Sequence, residues 1–414
     1  MSPKHGLFAL FIALAASATI CAATASTATP PASAKLATAD NAFGFRLLNA
    51  VQKASPDANV VLSPVSASLN LSMVLEGADD QTKEEMLTAL SLTGEKVDAV
   101  NAANAQLVKL LRTPVRSVVL SLANSLWVDS RRAAIRPDYE KRVRASYDAE
   151  VSALDFSSPE AAAQINSWAS KGTRGAIPKV IDKLDPGDLL LLLNAVYFKG
   201  EWTHKFDEAK TQQRDFELSG GSKKQVPRMS QSGRFEYLET PEMQGIRLPF
   251  GDGDLVMDIL LPASSSSLGM LETELTPEHW AGWDKQFTPR PGTIELPRFE
   301  LKSNYSLTGP LQALGMRRAF DPSRAQLTGM LSPAAGRSGG ERFFVSKVLQ
   351  STYWKVDEQG AEAAAATTTI VRPTAVARPE KPFRMIVDRP FFCAISDKRS
   401  GVLLFVGAIH DPAP

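Results

Sequence analysis

The chain has 414 residues, of which 44% are hydrophobic and 22% charged, and its formal net charge is +1 at pH 7. That balance excludes disorder of the bulk, which needs few apolar residues and a large net charge. It also excludes an electrostatic footprint for nucleic acid, because no Lys/Arg run exceeds a pair, and pairs such as Lys223-Lys224 and Arg317-Arg318 read as solvated surface.

Lys4 and His5 precede the apolar run from Gly6 to Leu14, and the small residues Ala23-Thr-Ala25 that follow suit a signal peptidase. Residues 1–25 are therefore expected to be an export signal, with the protein secreted or extracytoplasmic, and periplasmic if the host is a bacterium. Cys21 leaves a second reading open, a lipid-modified cysteine, although Ala18-Thr19-Ile20 is a poor match to the box that such processing prefers. Residues 26–36 read as a flexible Ala/Thr/Pro spacer. If Cys21 leaves with the signal, Cys393 is the remaining cysteine and an internal disulfide is ruled out. No later apolar run is long enough to span a bilayer, and no long linker interrupts residues 37–411, so a single domain with no membrane partner is expected.

The first half has a helical texture. Phe43, Leu47, Leu48 and Val51 share one helix face, and Ser63-Pro64 reads as an N-cap followed by proline at the first helical position. Thr82-Lys-Glu-Glu85 reads as a capping box, and Ser158-Pro159 opens a helix that can turn Ile165, Trp168 and Ala169 inward. From residue 189 the pattern changes. Leu189 to Phe198 is a near-continuous apolar run, as expected for a central strand covered on both faces. Residues 246–250, 255–261, 293–301, 343–356, 383–387, 391–395 and 402–409 also read as strands, which gives an α+β protein with large sheets.

The enzymatic reading fares poorly. G-x-S-x-G, H-E-x-x-H and the phosphate-binding glycine loop are all missing, and the four histidines, His5, His204, His279 and His410, are scattered. Asp252-Gly-Asp254 reads as a turn between strands rather than a calcium loop. No catalytic residues, metal or cofactor are expected.

The stretch DEQGAEAAAATTTIVRPTAVARPEKP, residues 357–382, is harder to place. If residues 361–372 were extended, Ala361, Ala363, Ala365, Thr367, Thr369 and Val371 would share one small, uncharged face, with both charges, Glu362 and Arg372, on the other. Two readings stay open on parity alone: a strand with its small side toward a core, or an exposed linker of Ala and Thr.

Across residues 38–411 a series of short segments stands out: Asn59-Val-Val-Leu-Ser-Pro-Val-Ser66, Leu75-Glu-Gly-Ala78, Ile165-Asn-Ser-Trp168, Thr173-Arg-Gly175, and Asn194-Ala-Val-Tyr-Phe-Lys-Gly200 with Trp202 and Phe206. It continues through Leu248-Pro-Phe250, Ile259-Leu-Leu-Pro262, Glu295-Leu-Pro-Arg-Phe299, Leu314-Gly315, Asp388-Arg-Pro-Phe391 and Leu404-Phe-Val-Gly407. In their number, order and spacing these segments resemble those of the serpins, and together they make the match specific.

The resemblance implies three β-sheets surrounded by eight or nine helices, with an exposed reactive-centre loop over about 358–382. It implies an inhibitor, not an enzyme. A target serine protease cleaves the loop, and a hinge of Glu358, Gly360, Ala361, Glu362, Ala363, Ala364, Ala365, Ala366 and Thr367 then inserts between the strands at 189–198 and 343–356, trapping the covalent acyl-enzyme. The native form of such a protein is held kinetically. Ala361 stands where Thr or Ser is common in the family. Ser63, Ser66, Asn194, Trp202 and Gln350 are the residues implied to gate the strands, with Gln350 where many members have His, so a pH-sensitive latch there is not expected. Family spacing places the scissile bond at Thr374-Ala375, with Val376 a nearby candidate. Arg372 and Arg378 each precede proline, which makes them poor cleavage sites and points to an elastase- or subtilisin-like protease. The helical region from Lys96 to Arg116 lacks the basic stripe of a heparin-like activator. A monomer capable of loop–sheet polymers is implied. The competing reading is a non-inhibitory serpin acting as a carrier or chaperone.

Overall fold

The computed structural model describes residues 31–336, 342–360 and 381–412. In chain order it builds α1 (Pro31–Ala54), β1 (Val60–Leu62), α2 (Pro64–Glu76), α3 (Asp80–Ala89), α4 (Val97–Leu111), β2 (Val118–Asp129), β3 (Ala133–Ile135), α5 (Pro137–Tyr147), β4 (Glu150–Leu154) and α6 (Pro159–Gly172). There follow β5 (Leu190–Gly200), β6 (Gln212–Glu217), β7 (Lys223–Glu239), β8 (Met243–Phe250), β9 (Leu255–Pro262), α7 (Leu268–Thr273), α8 (Pro277–Asp284), β10 (Thr288–Pro297) and β11 (Phe299–Ser306). The last elements are α9 (Thr308–Ala313), β12 (Leu331–Pro333), β13 (Lys347–Val356), β14 (Phe383–Ile386), β15 (Phe391–Asp397) and β16 (Leu403–Ile409).

The strands form three sheets, in keeping with the α+β expectation. One has nine strands, ordered β1-β16-β15-β9-β8-β7-β10-β14 with β6 beside β7; the second runs β11-β13-β5-β2-β4; β3 and β12 make a small pair. Nine α-helices pack around them among the described residues. No helix among those residues is long and apolar enough to cross a membrane.

Strand β5 shows why the five-stranded sheet forms. All its residues except Lys199 are buried, so the strand lacks the polar alternation of a half-exposed sheet. Leu190, Leu192, Val196 and Phe198 join the main core, while Leu191, Leu193 and Ala195 join a second cluster with Trp127, Ile165, Ala169 and Ile181 on the side of α6. Helix α2 packs against the sheet, and twelve of its thirteen residues are buried. A helix apolar or small on all sides belongs in a core.

Several expectations are corrected. Helix α1 begins at Pro31, inside the stretch 26–36 read as a spacer, because proline is compatible with the first turn of a helix. The capping box at Thr82 does not open a helix. Asp79 is the N-cap of α3, and Thr82 is buried with its hydroxyl accepting from the Gln326 amide. The single strand expected at 293–301 is two, β10 and β11, separated at Arg298, and the strand expected from Phe343 begins at Lys347. Ser63 is the N-cap of α2, but its side chain makes no cap bond.

One buried carboxyl sets a pH dependence. Asp40 of α1 is 1% exposed, accepts the Ser68 hydroxyl on Oδ1 at 2.5 Å, and has no partner on Oδ2. Burial pushes its pKa up to about 7, against only a partial offset from Ser68. The folded protein therefore holds a proton that the unfolded chain releases near pH 4, so this contribution to stability is lost as pH rises from about 4 to about 7. Asp40→Asn keeps an acceptor for Ser68 and cannot ionise. Its stability relative to the parent is expected to improve by up to about 4 kcal/mol between pH 4 and pH 8, at about 1.4 kcal/mol per decade of proton affinity. Melting scans at a fixed heating rate check this; parallel pH profiles for the two proteins would refute it.

Candidate functional site

Strands β5 and β13 run parallel and are paired from Leu191 opposite Lys347 to Tyr197 opposite Tyr353. There the pairing ends. Trp354, Lys355 and Val356 continue along β11, while Phe198, Lys199 and Gly200 continue along β2. The two strands therefore share a ladder at one end and part at the other.

The chain leaving β13 turns back at the parted end. Asp357 N–H donates to the Gly360 carbonyl at 2.9 Å, and Gly360 N–H returns a bond to the Asp357 carbonyl at 3.2 Å. Gly360 has φ of +117°, and a Cβ there would lie 2.1 Å from the Gly200 carbonyl oxygen, so both the backbone angle and the space demand glycine. The exit from β5 grips the same turn: Trp202 N–H donates to Gln359 O at 3.0 Å and Phe206 N–H to Glu358 O at 2.9 Å, and Glu201 bridges Gly360. Gly360 thus stands between the ends of both strands with the chain already reversed. A strand continuing from it back along β13 would be antiparallel to β13 and, because β5 is parallel to β13, antiparallel to β5 as well.

Side chains hold the turn in place. Glu358 is 2% exposed, and its Oε1 lies 2.7 Å from Arg298 Nε and 2.5 Å from Arg298 Nη2, with Thr211 donating a further hydrogen bond. Arg298 is the residue that divides β10 from β11, and its own N–H donates to Pro227 O at 2.9 Å. Trp202 is buried, stacked on Phe250 with ring centroids 4.3 Å apart, and its Nε1–H donates to Asp357 O at 2.9 Å.

Within the shared ladder lies a second polar constellation. Asn124 of β2, Asn194 of β5 and Gln350 of β13 stand opposite one another across the sheet, beneath the first turn of α2. Gln350 accepts Ser63 N–H on Oε1 at 2.9 Å, and its Nε2 donates to Ser63 O at 3.0 Å and to Asn194 Oδ1 at 3.4 Å. Asn194 Nδ2 donates to Asn124 Oδ1 at 2.8 Å and to Ser66 O at 3.3 Å; the Ser66 hydroxyl donates to Asn124 Oδ1 at 2.8 Å. All five residues are buried. Apart from the Ser63 hydroxyl, which has no partner, these buried groups bond to one another and fix one arrangement, and separating the strands would break the Gln350–Asn194 contact. None of these side chains titrates near neutral pH, so this network contains no proton switch.

Of the residues singled out from the sequence, Ser63, Ser66, Asn194 and Gln350 come together beneath α2, and Trp202, Glu358 and Gly360 come together at the parted end. Ala361 to Thr367 of the hinge and Thr374, Ala375 and Val376 lie outside the described residues. Asn124, Arg298 and Thr211 were not foreseen. Arg298 stands inside the quoted segment Glu295–Phe299, yet nothing local announces a partner sixty residues away. His204 and His279 are exposed, and the turn Gly251–Asp254 joins β8 to β9 as expected.

Comparison with known proteins places this arrangement. The family profile described as Serpin (serine protease inhibitor) matches residues 38–412. Iripin-2 of Ixodes ricinus is 34% identical over 385 residues, covering 91% of this chain and 94% of its own. The chain is a serpin. Leukocyte elastase inhibitor of Sus scrofa is 33% identical over 390 residues, covering 91% of this serpin and all of the relative. Among solved structures, the native state of the thermophilic serpin tengpin superposes with a TM-score of 0.81 at 26% identity, covering 91% of this chain and 94% of the other.

Proposed function

We propose that this serpin is a suicide-substrate inhibitor of serine proteases, in which residues 361–372 enter as a new strand between β5 and β13 once the loop is cut. The observation that carries the reading is the position of Gly360, held between the ends of two parallel strands whose pairing stops at Tyr197 and Tyr353. A chain starting there has the polarity to add antiparallel bonds on both sides, and the small face of Ala361, Ala363, Ala365 and Thr367 would enter without overpacking. The leukocyte elastase inhibitors among the relatives support protease inhibition.

The bait bond in this proposal is Thr374-Ala375. Proline after Arg372 and Arg378 removes the two arginines as cleavage sites, which leaves small and aliphatic residues suited to a shallow specificity pocket. Export on residues 1–25 would bring the inhibitor to extracytoplasmic proteases. The purified protein incubated with elastase, subtilisin and trypsin is expected to form an SDS-stable complex with the first two, with the new N-terminus at Ala375 by mass spectrometry. Complex formation with trypsin alone would overturn the placement of the bond, and clean cleavage by all three without an adduct would make the protein a non-inhibitory serpin.

A further inference from the structure

The chain between α6 and β5 crosses the face of the five-stranded sheet. Ile177, Val180 and Ile181 of this segment pack in the smaller hydrophobic cluster with Leu191, Leu193 and Ala195 of β5, and Leu349 and Tyr353 of β13 lie at its margin. The segment is therefore seated over both of the strands between which the cut loop is proposed to enter.

Its middle is gripped from two sides. On one side Asn166 of α6 accepts Val180 N–H at 2.8 Å and Ile181 N–H at 3.1 Å on Oδ1, and its Nδ2 donates to Ile181 O at 2.9 Å. On the other, Asn304 of β11 donates from Nδ2 to Val180 O at 3.1 Å. Helix α6 packs on β2 and β5, and β11 lies beyond β13, so Val180 and Ile181 bridge the seam between β5 and β13. The register gives the height of the bridge. Asn304 stands opposite Ser351, and Ser351 opposite Ala195, two residues inside the last β5–β13 pair at Tyr197 and Tyr353. Lys347, at the far end of β13, holds Asp185 at 2.5 Å and Asp188 at 2.8 Å, a tie that a strand starting from Gly360 would reach later.

We propose that residues 177–188 form a strap across this seam and that Asn304 is the positioning residue that keeps it down, so that one side-chain bond governs how fast a strand enters. The inference rests on insertion between β5 and β13. A new strand moves β13 and β11 about 4.8 Å farther from β5, which is more than a hydrogen bond can stretch, so one of the two grips must break. Asn166 makes three bonds to the strap and Asn304 makes one. The grip on β11 is the one that yields.

Entry is measured by adding a synthetic peptide with the sequence of residues 361–372 to the intact full-length protein and following its incorporation on native gels. Asn304→Ala is expected to take up the peptide about fivefold faster than the parent, the effect of one neutral hydrogen bond lost before the barrier. Asn304→Asp, which turns an acceptor toward Val180 O, is expected to be faster still, and Asn304→Gln, which keeps the donor, to stay near the parental rate. Asn304 is exposed, so these changes leave the core intact. Tyr305→Phe is the control: it removes the bond from Tyr305 OH to Asn59 O at 2.8 Å, on the other face of β11, and is expected to leave the rate unchanged. Equal uptake by the parent and Asn304→Ala, or equal acceleration by Tyr305→Phe, would overturn the strap while leaving insertion standing. No uptake by any form would also overturn it, and the further absence of an adduct with elastase or subtilisin would overturn insertion itself.

Discussion

A single cut within residues 361–380 is expected to raise the melting temperature of the protein by about 10 °C or more. A chain of this length changes stability by about 0.8 kcal/mol per degree near its midpoint, so the effect corresponds to about 8 kcal/mol. The sign is the decisive part. Cutting an ordinary surface loop frees two ends, returns conformational entropy to the unfolded chain, and leaves stability unchanged or lowered. Here the parted ends of β5 and β13 offer backbone groups on two facing strands, and a strand entering from Gly360 would bond to both at once. The turn at Asp357–Gly360 has already reversed the chain, so no further crossover is needed. Calorimetry before and after limited proteolysis with a protease that makes no adduct checks the expectation. Equal or lower melting after the cut, with cleavage complete, would remove insertion from the account.

Replacement of Glu358 by lysine is expected to destabilise the intact protein by about 3–5 kcal/mol, or roughly 4–6 °C, because it sets an unpaired ammonium against Arg298 at a site 2% exposed. The damage should be local before it is global. Glu358 is the side-chain anchor of the turn that sits over the parted strands, so its loss is expected to free residues 357–360, opening β5 and β13 to a strand from another copy. Warming the variant at high concentration should then give ladders of oligomers on native gels at temperatures where the parent remains a single band. The exchanged pair Glu358→Lys with Arg298→Glu is expected to recover a good part of the lost stability, since the ion pair is restored with reversed sign. Unchanged melting for the single variant would show that the buried pair does not hold the turn.

The legible parts of the fold were those written in local pattern. The run Leu189 to Phe198 announced a strand buried on both faces, and Ser158-Pro159 announced the start of α6, where the Ser158 hydroxyl accepts from Glu160 N–H at 3.2 Å. Strands β2 and β7 were not legible. Asn124 and Ser125 interrupt the apolar run of β2 because they serve the network beneath α2 and the bond to Trp127, and β7 carries Pro227 and Gly233 along with charges on both faces. The gating residues were reached through family resemblance, since Gln350 lies 287 positions from Ser63 and no periodicity connects them. Arg298 was missed for the same reason: a charge partner is chosen by the fold, and the stretch Asp357-Glu358-Gln359 does not name the residue that meets it.

The division of the interior into two unequal hydrophobic clusters has a bearing on timing. The smaller one, under α6, takes Leu191, Leu193 and Ala195 from β5, with Leu349 and Tyr353 of β13 packed at its margin. Spreading those two strands would disturb this small layer as well as the larger cluster, to which the same strands give Leu192 and Val196 of β5 and Val348 of β13. Under the proposed insertion, the delay between a cut and the arrival of a new strand would depend in part on how firmly Ile165, Trp168 and Ala169 clasp the sheet, a quantity that evolution can adjust independently of the proposed bait.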